Sequence, residues 1–139
     1  MFLKTFFAIS ILILSTPSTY AQDSEKEQTK MEEVMDTHDQ VMDRMPELAK
    51  LIGKLETKAS NTEEKKPYQD AVKDLKAANK SMMDWMVGFG NRFEADEMMK
   101  GKPLSEQKQQ WLLEEEQKVR QLREEINLSI KQGEKILAQ

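Results

Sequence analysis

The chain has no cysteine, one histidine, five glycines, four prolines and only 6% aromatic side chains among its 139 residues. Without cysteine there is no disulfide framework, no thiolate zinc or iron–sulfur centre and no thiol nucleophile. A single histidine excludes a multi-histidine metal cluster within one chain. Positive charge is also lacking: the net charge is −4, so the basic footprint of a nucleic-acid binder is missing. The glycines build no phosphate loop, since Gly88-Phe89-Gly90 reads with neither a strand before it nor a helix directly after it. No paired carboxylates and no Ser/His/Asp set are placed for acid–base or nucleophilic work, so no enzyme is expected.

What is present starts with a transport segment. Lys4 supplies a short positive region, Phe6 to Leu14 is apolar apart from Ser10, and Pro17 breaks any helix before the small residues Thr19 and Ala21. This pattern reads as a signal peptide over 1–21, cleaved before Gln22. The apolar run is about half of the ~20 residues that cross a bilayer, so no membrane span is expected after cleavage. The expectation is an exported protein, periplasmic or secreted. Residues 22–30 are polar and read as a flexible lead-in, and 31–139 as one helical bundle domain.

Three apolar stripes follow. Met31, Val34, His38, Val41, Met45, Leu48, Ile52 and Leu55 are spaced alternately three and four apart, a heptad seam that Met35, Met42 and Ala49 widen. Pro46 should kink this helix or split it in two. Ser60, Asn61 and Thr62 are N-cap candidates for a second helix, with Glu63 and Glu64 in its first turn. Its stripe runs Tyr68, Ala71, Val72, Leu75, Ala78, Met82, Trp85, Met86, Phe89, and Gly88, Gly90 and Asn91 should end it. The connector 91–103 has room for a short helical turn over Glu94 to Lys100. Ser105 caps the third helix, whose stripe is Leu112, Glu115, Val119, Leu122, Ile126, Ile130, Gly133, Leu137. The simplest architecture is all-α: an antiparallel up-down-up three-helix bundle.

Aliphatic residues are sparse after residue 21, while nine of the ten methionines lie there, so methionine must carry part of the core. Folding the first helix back on the second near residue 60 puts His38 level with Met82 and Met35 level with Trp85. Trp111 arrives at the same height, and Met35 and Met42 share the face of His38. One reading is a soft-metal site: imidazole with thioethers from Met35, Met42, Met82 and Met86 suits Cu(I), with Trp85 covering the ion by a cation–π contact. The other is plain packing, in which methionine fills gaps against aromatic rings and His38 bonds a neighbour such as Glu115 or Asn79. Haem b held by His and Met needs a wider pocket than three tight seams leave. Glu115 is then either a partner for His38 or a solvated edge residue, and Asp36 and Asp39 should point off the histidine's face. Met83, Met98, Met99 and Phe93 form either an exposed partner surface or a cluster buried under the connector.

The blocks Met31 to Met45, holding His38-Asp39 and Val41-Met42, and Met82-Met83-Asp84-Trp85-Met86 resemble a group of small exported bacterial helical proteins of uncharacterised role, some labelled "viral A-type inclusion protein". That resemblance implies a helical fold and export and supplies no activity. Leu104-Ser105-Glu106-Gln107-Lys108 is similar to the Leu-Thr-x-x-Gln motif of periplasmic stress proteins of the Spy and CpxP type, which are small, exported and Met-bearing. Two functional expectations follow: a metal-binding module centred on His38, and a metal-independent interaction or chaperone-like protein. The sequence leaves the oligomeric state open.

Overall fold

The first helix begins where Thr29 caps it. In the computed structural model, which describes residues 29–139, the Thr29 hydroxyl accepts from the Glu32 N–H at 3.2 Å and the Glu32 carboxylate accepts from the Thr29 N–H at 2.7 Å. This reciprocal pair satisfies two of the helix's unpaired donors. Thr29 and Lys30 thus belong to the helix and its cap, which moves the end of the expected lead-in. The signal-peptide reading over 1–21, and residues 22–28, lie outside the described residues.

Every regular element among the described residues is helical: α1 Lys30–Met42, α2 Met45–Ser60, α3 Lys66–Arg92, α4 Ala95–Met99 and α5 Glu106–Leu137. None is long and apolar enough to cross a membrane. The first stripe is split rather than kinked. The chain turns at Asp43 and Arg44, and Pro46 sits in the first turn of α2, where its missing donor costs no helical bond. Asp43 and Arg44 both keep right-handed helical angles, so the apolar phase survives the break, with Val41 and Leu48 both buried.

Two helix ends differ from the expectation. Ser60 and Asn61 close α2 instead of capping α3: the Ser60 hydroxyl donates to the Glu56 carbonyl and the Asn61 amide to the Thr57 carbonyl, each at 2.9 Å. Such back-bonding satisfies the carbonyls of a last turn. α3 then starts at Lys66 with no side-chain cap and Pro67 in its first turn. Gly88 and Gly90 do not end α3, which continues to Arg92. Burial of Trp85, Phe89 and the capping Phe93 outweighs the helix penalty of two glycines. Ser105 caps α5 as expected, and the connector holds α4 where a helical turn was expected.

Side-chain contacts fix how the helices pass. α3 and α5 run in opposite directions, since Ser81 meets Glu125 and Arg92 meets Glu114. α1 runs with α5, since Lys30 meets Glu116 and Gln40 meets Arg123. Toward the far end, α2 and α3 close on Gly133 of α5, where an added Cβ would stand 2.7 Å from the Leu51 side chain and 3.2 Å from that of Leu75. The core here is aliphatic: Leu48, Leu55, Leu75, Ile126 and Ile130 are all buried to within 1% of completely. Each such burial is worth roughly 1.5–3 kcal/mol before entropy is counted. The α1 end of the molecule is built differently, from rings and thioethers.

Candidate functional site

The backbones of α1 and α3 stay more than 8 Å apart at every Cα pair, and large side chains fill the space between them. Trp85 and Phe89 lie one turn apart on α3 with ring centroids 4.8 Å apart, inclined by 25°. Phe93, one turn on at the helix cap, continues the row at 4.8 Å. His38 extends it from α1, stacked on Trp85 at 5.7 Å with 29° between the planes. Ring pairs of this kind contribute about 0.5–1.5 kcal/mol beyond their buried area. The Trp85 Nε1–H is buried without a hydrogen-bond partner.

The His38 side chain keeps 15% of its surface exposed, and its Nδ1 lies 2.9 Å from the Asp39 carboxylate. Asp39 was expected to point away from the ring, but its carboxylate reaches back to its sequence neighbour. In the tautomer that carries its proton on Nδ1 the ring donates to that carboxylate, and Nε2 keeps a lone pair for a metal.

The four methionines expected around His38 divide by depth. Met82 is fully buried and Met35 is partly buried against the core. Met42 and Met86 are 39% and 38% exposed, so they stand outside the core that the stripe pattern assigned them to. Ser81, Asp84, Trp85 and Gly88 of α3 line a groove of about 340 Å³ with α5, and neither Met82 nor Met86 lines it. His38 and Trp85 are in contact, with Met82 inside the core, Met35 packed against it, and Met42 and Met86 at the surface of the same two helices. Among the described residues no group of three or more His, Asp or Glu is arranged to hold a metal, so a metal site here depends on the thioethers.

Glu115 is neither a partner for His38 nor solvated. It is 2% exposed, with Arg92 at 3.0 Å and Lys118 at 2.8 Å. Arg92 also bonds Glu114 at 2.7 Å and lies 5.4 Å over the Trp111 ring. A second buried acid, Glu97 of α4, gave no signal in the sequence because α4 carries no long apolar stripe. Lys108 of α5 donates to both its oxygens, at 2.9 and 2.7 Å, and the Glu94 N–H donates at 2.8 Å. The Lys108 hydrogen bond first, and the Glu94 N–H second, hold the Glu97 carboxyl below its ordinary range. Glu116 is also lowered: burial opposes its charge, and Lys30 and Arg120 together outweigh that. The Met83, Met98, Met99 and Phe93 group is mixed. Phe93 is buried and Met98 packs on the core, whereas Met83 and Met99 are 53% and 77% exposed. No protein-family model, curated protein or solved structure matches this chain.

Proposed function

We propose that this is an exported, non-catalytic binding protein with an up-down-up three-helix layout, and that it holds a soft monovalent metal ion, Cu(I), between α1 and α3. The observation that carries the reading is the posture of His38. Its ring is stacked on Trp85 and tied through Nδ1 to Asp39. A carboxylate on the second nitrogen is the usual support for a metal-bound imidazole. Met35 and Met42 stand three and four residues from His38 on α1, and Met82 stands three residues and Met86 one from Trp85 on α3; thioethers are ligands for Cu(I) that survive in an oxidising compartment. His38 Nε2 with two of these sulfurs makes a three-coordinate site, and the indole face shields the ion from water. Such a site stores or delivers the ion and does no chemistry on it.

Competition for Cu(I) against a chromogenic chelator tests this. One equivalent bound by the wild-type chain and none by His38→Ala is the expected result. Equal behaviour of the two proteins sinks the reading.

A specific observation favours a second reading, a metal-independent interaction or chaperone-like protein. Met83 and Val87 stand one turn apart on α3 at 53% and 64% exposure, and Met99 is 77% exposed on the connector. On that reading Met83→Ser and Met99→Ser weaken suppression of client aggregation, and His38→Ala leaves it intact.

A further inference from the structure

The division of the thioethers by depth has a chemical consequence. Sulfur in an exposed methionine meets dissolved oxidants, while sulfur in a packed core does not. Met82 has no exposed surface, and Met35 is covered in part by the core. Met42 and Met86 are about two-fifths exposed and belong to neither the buried core nor the side chains packed against it. Met42 is also the last residue of α1, directly before the turn at Asp43 and Arg44, so a polar group there interrupts no packed helix.

We propose that Met42 and Met86 are oxidation sites, and that their conversion to sulfoxide by a peroxide switches the metal site off. The inference rests on the Cu(I) reading above. In the step itself, a sulfur lone pair attacks one oxygen of hydrogen peroxide. The S–O bond forms as the O–O bond breaks, and the departing hydroxide takes up a proton to leave as water while the transferred oxygen sheds its own. The sulfur is oxidised by two electrons and the peroxide is reduced by two. The product offers a polar oxygen and a poorer sulfur donor, so a soft ion loses ligands. Because neither side chain supports the core, the fold outlasts the modification. Met83 and Met99 are more exposed still and are not among the four thioethers assigned to the site, so they oxidise without consequence for the metal.

The test uses the purified chain carrying Met83→Leu and Met99→Leu, which removes the bystanders. It is treated with graded hydrogen peroxide, quenched with catalase, mapped by peptide mass spectrometry, and assayed for helicity and for Cu(I) competition. Met42 and Met86 should each gain one oxygen before Met82 does, with helicity unchanged. Cu(I) affinity should fall roughly tenfold or more and return after treatment with methionine sulfoxide reductase. Adding Met42→Leu and Met86→Leu should lower affinity to the same level, with no further fall on peroxide. Unchanged affinity with both residues oxidised overturns the switch and leaves the metal reading standing. So does oxidation of Met82 in step with them, or a further fall in the Leu variant. Failure to bind Cu(I) before any peroxide is added is a different result, and it removes the metal reading together with the switch.

Discussion

Arg92, in the last turn of α3, sets its guanidinium 3.0 Å from the carboxylate of Glu115, which is only 2% exposed on α5. The same guanidinium lies over Trp111, so one cation joins a buried acid, a surface acid and an indole at the end of the α3–α5 seam. Arg92→Met removes the charge and keeps most of the stem. Glu115 then retains Lys118 at 2.8 Å, a partner that is half in water. The expected loss is about 1–3 kcal/mol, below the cost of stranding an unpaired buried charge. Urea unfolding measures it, and a midpoint equal to wild type would show that the pair contributes nothing.

Glycine substitutions should divide by position. At Gly133 a Cβ would meet the Leu51 side chain at 2.7 Å and that of Leu75 at 3.2 Å, so two packed leucines must move. Overpacking of this kind costs about 1–3 kcal/mol and outweighs the gain of about 1 kcal/mol in helix propensity. Gly53 and Gly90 lie within α2 and α3 with nothing within 4 Å of the added carbon. Gly53→Ala and Gly90→Ala should therefore stabilise by about 0.5–1 kcal/mol each, and Gly133→Ala should destabilise. Thermal denaturation of the three variants checks the opposite signs.

These glycines also mark what spacing makes readable. Val34, Val41, Leu48 and Leu55 stand seven apart and are all buried, because a heptad seam follows from helix geometry alone. The seam reads straight through the α1–α2 break because Asp43 and Arg44 keep helical angles, so the pattern carries no mark of where the chain turns. The height of His38 on α3 was readable to within a turn: folding back near residue 60 sets it level with Met82, and the ring stacks on Trp85 three residues further on. Asp39 on His38, Arg92 on Glu115 and Lys108 on Glu97 were not readable. Each depends on side-chain torsions and on helix rotations that periodicity leaves free. The exposure of Met42 and Met86 was lost for a third reason, since residues at the edge of a stripe are carried in or out by small rotations of the helix.

Stability should fall at both ends of the pH scale through groups at one end of the molecule. Glu97 and Glu116 are held below their ordinary carboxyl value of 4.5. Their contribution is complete above that value and is lost as pH falls through their folded-state titrations. Lys30 is held above 10.5, first by its hydrogen bonds to Glu33 and Glu116, and Lys102 by Glu94. Their contribution is complete below 10.5 and is lost as pH rises through their folded-state titrations. Glu97 holds α4 to α5 through Lys108, and Glu116 holds α1 to α5 through Lys30, so acid should loosen the α1–α4–α5 end first. Amide exchange followed from neutral to acid pH should show α4 and the start of α1 losing protection before α2 and the end of α5. Glu97→Gln should flatten the acid limb of the thermal stability curve, and an unchanged limb would remove Glu97 from the account.

The stack of His38 on Trp85 can be read by fluorescence. At 5.7 Å and 29° between planes, the imidazole lies against the indole and covers part of its face. Removing that ring opens the indole to water, and indole emission moves to longer wavelength as its surroundings become more polar. Trp111, under Arg92, adds a second signal. Trp111→Phe keeps an aromatic face for Arg92 and leaves Trp85 as the single emitter. In that background His38→Ala should shift the emission maximum to longer wavelength while leaving helicity unchanged. Asp39→Asn, which removes the carboxylate 2.9 Å from Nδ1 and keeps the ring, should shift it less. An emission maximum that stays in place in His38→Ala would separate the imidazole from the indole.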